Sequence, residues 1–210
     1  MPYSSPTRSA LRTSISRDLH DADNKVFSAE EVNDLINMGI AELNRLVPTE
    51  ALDTLTLTAD TFNYEFDERI EEVLRVELWR ADKFYGDIPH RDGGSNTGWD
   101  FFAHTLLLPT SMKFDETQDV VQWWGYQIRN PLDTDDDVLD SDLEGEMVVR
   151  AYTQFTCFQR LIASRALFQQ WQTQANNSDV SATQLLGMAS VYAGQWRDLR
   201  NRVRRLRRAD

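Results

Sequence analysis

An acidic stretch around residue 140 contains the residues best suited to metal chemistry. Aspartates at every second position from Asp133 to Asp137 match positions one, three and five of a calcium-binding EF-hand loop, and Glu144 matches position twelve. Two positions do not fit, because position six requires glycine and is Val138, and position eight is normally apolar and is Asp140. We therefore predict a solvated turn that binds no calcium and places negative charge at the start of the next helix.

A glycine-rich segment offers a second possible ligand site. Residues 93–98 read Gly-Gly-Ser-Asn-Thr-Gly, which matches the first half of a phosphate-binding loop. Trp99 and Asp100 follow where that loop needs lysine and then serine or threonine. The segment between Gly86 and Gly98 is therefore predicted to be a mobile hairpin tip that binds no phosphate.

The single cysteine and the three histidines form no recognisable catalytic set. Cys157 lies within an apolar helical pattern, which favours a buried structural thiol over a nucleophile. His20, His90 and His104 fall in a predicted linker, loop and strand, without metal-ligand spacing. We therefore predict no catalytic residue, no metal site and no cofactor.

Charge is distributed very unevenly along the chain. The net charge is −12, but residues 197–208 contain seven arginines and one aspartate, so they carry +6 and the remainder carries −18. Such asymmetry favours an interaction tail. The arginines expected to bind a partner are Arg197, Arg200, Arg204, Arg205, Arg207 and Arg208. The alternative is a solvated face whose last turn complements the helix dipole.

The N-terminal and C-terminal parts of the chain have the apolar periodicity of helices. Residues 1–48 are predicted to contain two helices, and the second begins with a capping box of Ser28 and Glu31. One long helix is predicted from Ser141 to about Gln174, within residues 141–176, with Ser141 and Glu144 as its capping box. A last helix, residues 181–208, begins with a third box at Ser181 and carries the arginines.

Between the helices, residues 53–132 change to a period of two. Alternating apolar residues predict strands at 55–57, 62–66, 74–78, 104–108 and 120–128. In the last strand, Trp123 and Trp124 must point to opposite sides of the sheet. One side is explained by core packing. The other side, with Tyr126 nearby, is predicted to pack on a helix of the same chain or on a neighbouring subunit.

These elements predict an α+β protein. Residues 1–210 are expected to form a single domain, a helical bundle with a long central helix and an antiparallel sheet or sandwich inserted between the N-terminal helices and the long helix. No apolar run approaches the ~20 residues that span a bilayer, so no membrane contact is expected. The polar N-terminal ten residues lack a signal-peptide core, and the lone cysteine fits a reducing compartment of synthesis.

The order of elements resembles the head-to-tail adaptor (connector) proteins of tailed bacteriophages. The resemblance rests on the helix from Val26 to Pro48, the segments 70–76 and 106–109, and the string Gly-Tyr-Gln-Ile-Arg-Asn-Pro-Leu at 125–132, followed by an Asp-rich loop, a long helix and a final helix. It covers roughly residues 7 to 208. Its sharpest motif is Tyr126, four residues, Pro131-Leu132 and then Asp-x-Asp.

The resemblance implies a structural virion protein rather than an enzyme. Adaptors of this kind form a ring, expected to be a dodecamer, directly beneath the portal protein, and they dock a neck stopper or tail-terminator protein below. Double-stranded DNA passes through the lumen without sequence-specific binding, and the ring helps to retain the packaged genome. The implied location is the head-to-tail interface of the virion, after synthesis in the host cytoplasm. The six arginines are then expected to bind the portal, and Trp123, Trp124 and Tyr126 to lie at the subunit interface.

A nucleic-acid-binding protein is the main alternative. In that case the arginine-rich last helix grips DNA or RNA phosphates. The acidic remainder and the lack of a recognition-helix motif disfavour it.

Overall fold

The computed structural model describes residues 3–91, 97–174 and 177–206, with side chains up to residue 202 in the last segment. The chain divides into two compact units: a helical unit, Met1–Val47 with Arg129–Asp210, and a β unit, Pro48–Ile128. The α+β class is confirmed. The predicted single domain thus consists of two compact units, and the β unit begins and ends about five residues earlier than the predicted boundaries of 53 and 132.

The helical unit contains five α-helices in its described part. They are α1 (Arg8–Asp18), α2 (Ala29–Leu46), α3 (Leu143–Ala163), α4 (Arg165–Gln174) and α5 (Ala182–Leu206). The Ser28 side chain accepts from the backbone N–H of Glu31 while the Glu31 carboxylate accepts from that of Ser28, so this capping box is confirmed. The reciprocal bonds of Ser181 and Gln184 confirm the box before α5.

One apolar core runs through the helical unit. Leucine and isoleucine side chains from α1 and α2 pack with Val148, Phe158 and Leu161 of α3. Helix α5 lies along α3, where Tyr192 stacks on Phe158 with ring centroids 4.7 Å apart and Trp196 meets Tyr152 edge-on at 5.3 Å.

The prediction of one continuous helix from Ser141 to about Gln174 is wrong, because the helix breaks at Ser164. This residue has an extended backbone, φ −122° and ψ 107°, and separates α3 from α4. Its hydroxyl accepts from the N–H of Leu167, so the serine caps the new helix. The break accompanies complete burial of Trp171, whose ring nitrogen donates to the Leu19 carbonyl at 2.8 Å.

The start of α3 also differs from the prediction. Asp142, rather than Ser141, is the N-cap, and its carboxylate accepts from the N–H of Gly145 at 2.8 Å. The Ser141 hydroxyl instead bonds the Asp142 carbonyl. Glu144 lies in the first turn, where a negative charge complements the helix dipole.

The β unit is a pair of antiparallel sheets. Its strands are β1 (Thr49–Thr56), β2 (Asn63–Glu65), β3 (Ile70–Arg80), β4 (Lys83–Ile88), β5 (Asp100–Phe102), β6 (Thr105–Leu107) and β7 (Asp119–Gln127). The four-stranded sheet has the order β1-β7-β3-β4 and the three-stranded sheet the order β2-β6-β5. All five predicted strand segments overlap strands. Strands β4 and β5 were not predicted, and the predicted loop from Gly86 therefore begins inside β4.

The core of the β unit contains apolar side chains from both sheets, including Val76, Val121 and Leu106. Two irregularities in the register of β3 against β7 lie between Ile70 and Arg75, close to Gly125. A Cβ on Gly125 would lie 2.1 Å from the carbonyl oxygen of Glu72. Glycine is therefore required where the two backbones approach this closely.

We expect Gly125→Ala to destabilise the β unit by about 1–3 kcal/mol or more, because the clash is with backbone and only a strand shift can relieve it. Denaturant unfolding monitored by circular dichroism measures the loss. Gly86→Ala is the matched control within the same sheet, since its added Cβ meets nothing within 4 Å. Equal stability of the two variants would contradict the required close approach.

Candidate functional site

The two tryptophans of β7 occupy opposite sides of the four-stranded sheet. Trp123 is 6% exposed and packs in the core, with its ring centroid 4.7 Å from that of Phe66. Trp124 and Tyr126 are half-buried on the other side. Of the three residues predicted at a subunit interface, Trp123 therefore serves the core, and the interface prediction rests on Trp124 and Tyr126. We call their side of the sheet the outer face.

The outer face carries an ordered cluster of aromatic and charged side chains. The strand register places Trp124 between Leu52 of β1 and Arg75 of β3, and the Arg75 guanidinium carbon lies 5.4 Å from the Trp124 ring centroid. The indole nitrogen of Trp79 donates to Glu77 at 2.9 Å, and Arg75 also pairs with this carboxylate. Glu77 is only 4% exposed. The cluster is therefore preformed, with its buried charge compensated.

One end of the sheet is fastened by an ion pair whose carboxylate is buried. Two guanidinium nitrogens of Arg80 donate to the two carboxylate oxygens of Asp119 at 2.6 and 2.8 Å, and Asp119 is 1% exposed. The hydrogen bonds from Arg80 lower the pKa of Asp119. The same guanidinium lies 4.6 Å from the ring centroid of Tyr85. The pair therefore joins β3 to β7 on the core side of the sheet, beside Tyr85.

Large apolar side chains remain exposed on this sheet. Leu52 is 61% exposed on β1, and Phe84 and Tyr85 are 51% and 64% exposed on β4. Leu74, at an irregularity in β3, is 49% exposed. Tryptophan, tyrosine and arginine are the residues that most often dominate protein–protein binding energy. The chemistry of the outer face is thus that of a protein-binding surface.

Sequence reasoning missed Arg75, Glu77 and Trp79 as members of this surface. Their signal is the alternation Arg-x-Glu-x-Trp within a predicted strand, which places all three on one side. The alternation does not say which side is buried. Only the pairing of β3 with β7 puts them beside Trp124.

The acidic loop serves a structural purpose in the helical unit. The Asp135 carboxylate accepts from Arg12 at 2.7 and 2.9 Å and from Arg8 at 3.1 Å, so it ties the loop to α1. The Asp137 carboxylate accepts from the backbone N–H groups of Asp133 and Thr134. A calcium ion would have to displace these donors. That the loop binds no calcium remains a prediction.

The guanidinium partners should make Asp135 a source of pH-dependent stability. Hydrogen bonds from Arg12, then from Arg8, lower the pKa of Asp135 from 3.8 to about 2. A carboxylate with a lowered pKa stabilises the fold above its unfolded pKa, and that stability is lost as the pH falls towards the folded value. We expect Asp135→Asn to lower the Tm at pH 6, and the difference from wild type to vanish between about pH 4 and pH 2.

The matched control for this experiment is Asp136→Asn. Asp136 is exposed in the same loop, and its side chain makes no hydrogen bond or ion pair with any residue that the structure describes. The control removes the same charge, so its Tm should follow wild type across the pH range. A constant deficit of Asp135→Asn down to pH 2 would contradict the ion-pair origin.

The described arginines of α5 lie on a helix anchored to the unit core. Trp196 and Leu199 are 8% and 7% exposed. Arg197 is exposed and Arg200 half-buried, and neither forms a hydrogen bond or ion pair within the described part of the chain. Arg204 and Arg205 belong to α5, but their side chains, and all of Arg207 and Arg208, lie outside the described residues.

Two other features of the helical unit, a groove and the buried cysteine, take part in contacts within the fold. An open groove of about 560 Å³ in the helical unit is lined by residues that include Asp18, Arg150 and Tyr192. The Asp18 carboxylate accepts from Arg150 at 2.9 Å and from Gln154 at 2.8 Å. Burial raises the pKa of Cys157 to about 12, as expected of a structural thiol.

Comparison with known proteins provides no family assignment. No family model matches the chain, and no curated protein matches it. Among the described residues, no group of three or more His, Cys, Asp or Glu side chains is arranged to hold a metal ion. No helix in the described segments has the length and apolar character needed to cross a membrane.

Proposed function

We propose that the protein is a head-to-tail adaptor, a structural ring subunit that lies beneath the portal of a tailed bacteriophage and continues its DNA channel. The observation that carries the proposal is the arrangement of elements: α1 and α2, a separate β unit, then α3 to α5 closing the helical unit. The resemblance rests on this order. A second support is that the outer face of the β unit carries side chains that suit protein binding.

The proposed lateral contact uses the outer face of the β unit. Trp124 and Tyr126 would contact a helix of the neighbouring copy. A half-buried tryptophan already held by a guanidinium is a low-entropy contact residue, because little side-chain freedom remains to be lost on binding. The compensated Glu77 beneath it adds no unpaired charge to the interface.

The proposed axial contact uses the arginines of α5. Arg197 and Arg200 make no intramolecular pair among the described residues, so their guanidinium groups are available to carboxylates of a partner. Arginine forms planar, bidentate pairs with carboxylates, which fixes the register of one ring on the next. We place the acidic partner surface on the portal.

The acidic body suits a channel through which DNA moves. The chain outside residues 197–208 carries −18 of formal charge, so a lumen lined by it would repel phosphates rather than bind them. On this proposal the stopper or tail-terminator protein docks on the opposite side of the ring from the portal.

A reconstruction of the native assembly tests the proposal. We expect a closed ring of this protein between portal and tail. Isolated single copies, or absence from the neck, would overturn it. Tight, steeply salt-dependent binding of the purified protein to duplex DNA would instead favour the nucleic-acid-binding alternative, because that alternative requires phosphate contacts.

A further inference from the structure

In the described part of the β unit, the four-stranded sheet has two unpaired edges. Among these residues, strand β1 pairs only with β7, and β4 pairs only with β3. Within the described residues, no backbone hydrogen bond reaches the outer edge of either strand. Each edge therefore presents a row of N–H and C=O groups that can pair with another strand.

The edge at β1 lacks most of the features that prevent strand pairing. The strand contains no proline and no lysine, and its register with β7 is regular over all eight pairs. Proteins normally protect such an edge with these residues or with a bulge. Strand β4 carries both, Lys83 and a register shift between Leu78 and Trp79, so a strand that pairs there must place a negative charge opposite Lys83. The one charge of β1 on the core side is Asp53, which lies opposite Trp123 and has no ion-pair partner in the described segments.

The two edges complement each other in apolar character and in charge. Phe84 lies opposite Trp79 and on the outer face, as Leu52 does opposite Trp124. Both side chains are more than half exposed. Lys83, the next residue of β4, lies opposite Arg80 on the core side, and among the described residues it too has no ion-pair partner.

Strand direction allows the two edges to join. Each neighbouring pair within the sheet is antiparallel, so β1 and β4 run in opposite directions. When a second copy is added in the same orientation, its β1 lies antiparallel to β4 of the first. The antiparallel order of strands is kept across the junction, and the same contact can be repeated by every copy.

We propose that β1 of one copy pairs antiparallel with β4 of the next, with Leu52 opposite Phe84 and Asp53 opposite Lys83. The occupant of each edge is thus a second copy of this chain. The inference rests on the proposed ring and assigns it a second contact, made along the sheet edges rather than across the part of the outer face that holds Trp124. Because two different surfaces meet, the contact is heterologous, and a heterologous contact closes into a ring when its rotation permits.

Cysteine cross-linking tests this register directly. Residues directly opposite in an antiparallel pair have Cβ atoms about 4.5–5.5 Å apart, near the range in which a disulfide forms. Cys157 is buried, so it does not compete with engineered surface thiols. The variants are Leu52→Cys, Phe84→Cys and the double variant, each oxidised in concentrated solution and in portal-bound protein. Glu50→Cys is the register control, because it shares the outer face two residues away.

We expect neither single variant to cross-link alone, their mixture to give a dimer, and the double variant to give a ladder of higher oligomers. Glu50→Cys mixed with Phe84→Cys should give much less product. A Leu52→Cys homodimer would overturn the proposal in favour of a two-fold β1–β1 contact. Absence of the 52–84 cross-link under both conditions would also overturn it.

The readouts separate this inference from the proposed function. If a ring binds portal without forming the 52–84 cross-link, the proposed edge contact is wrong and the adaptor proposal stands. If a cross-linked ladder forms but the protein is absent from the neck, the edge contact stands and the adaptor proposal is wrong.

Discussion

Glutamate at both Arg197 and Arg200 should abolish retention of the protein on a portal ring, with affinity lower by about 100-fold or more. Losing one partner of a desolvated, hydrogen-bonded charge pair costs roughly 2–5 kcal/mol, and about 1.4 kcal/mol corresponds to a tenfold change in affinity. Co-purification with portal, followed by a binding titration, measures the effect. The Tm should stay near that of wild type, since neither side chain makes an intramolecular pair among the described residues.

The matched control is Arg165→Glu. Arg165 is exposed at the start of α4 and has no ion pair within the described part of the chain, so it reverses a charge away from the proposed contact. Its portal binding should follow wild type. If the double variant binds portal normally, the assignment of the arginines is wrong. If Arg165→Glu loses as much binding as Arg197→Glu alone, net charge rather than position is responsible.

A truncation that tests the C-terminal arginines must retain the residues of α5 that pack in the core of the helical unit. Deleting the residues after Arg202 removes Arg204, Arg205, Arg207 and Arg208 together. It retains Leu199, which is 7% exposed and packs in the core, whereas a cut after Trp196 would remove it. The truncation after Arg202 retains Leu199 in the core, so its Tm reports folding separately from portal binding.

Trp171→Ala should destabilise the helical unit by roughly 3–5 kcal/mol, the range for removing a large buried aromatic side chain. Trp171 is fully buried, packs against Phe168 with ring centroids 6.2 Å apart, and donates to the Leu19 carbonyl. Trp171→Phe retains a ring but leaves that carbonyl unpaired, at a cost of about 1–3 kcal/mol. Denaturant unfolding monitored by far-UV circular dichroism measures both.

Gln169→Ala is the control on the same helix. Its side chain is exposed, and alanine favours a helix, so stability should change little. A Trp171→Ala variant within about 1 kcal/mol of wild type would show that α4 contributes little to the core. The break at Ser164 would then need another explanation.

Much of the secondary structure follows from local signals in the sequence. The capping boxes at Ser28 and Ser181 depend on residues three apart, so they form wherever the helix begins. Strand segments follow from a two-residue period, as in β3 and β7. Strand β4 was missed because Gly86 and Asp87 suit a turn locally, although β4 pairs with β3 across a two-residue turn of positive φ at Ala81 and Asp82.

The candidate surface was predictable only in part. The side-by-side tryptophans at 123 and 124 determine by themselves that two sides of a sheet receive indole rings. The tertiary structure decides that Trp123 lies in the core and Trp124 beside Arg75, because strand register is set by distant residues. Likewise, only the folded chain brings Arg8 and Arg12 to Asp135, more than 120 residues away.

The sequence by itself therefore determined the α+β class, the capping boxes at Ser28 and Ser181, the location of five of the strands, and the charge contrast between the body and residues 197–208. The tertiary structure decided the helix break at Ser164, the partners of the acidic loop and the two free edges of the sheet. The physical reason is the distance along the sequence over which each interaction acts. Caps and periodicities act over three or four residues, whereas burial of Trp171 beneath Leu19 depends on residues 152 positions apart.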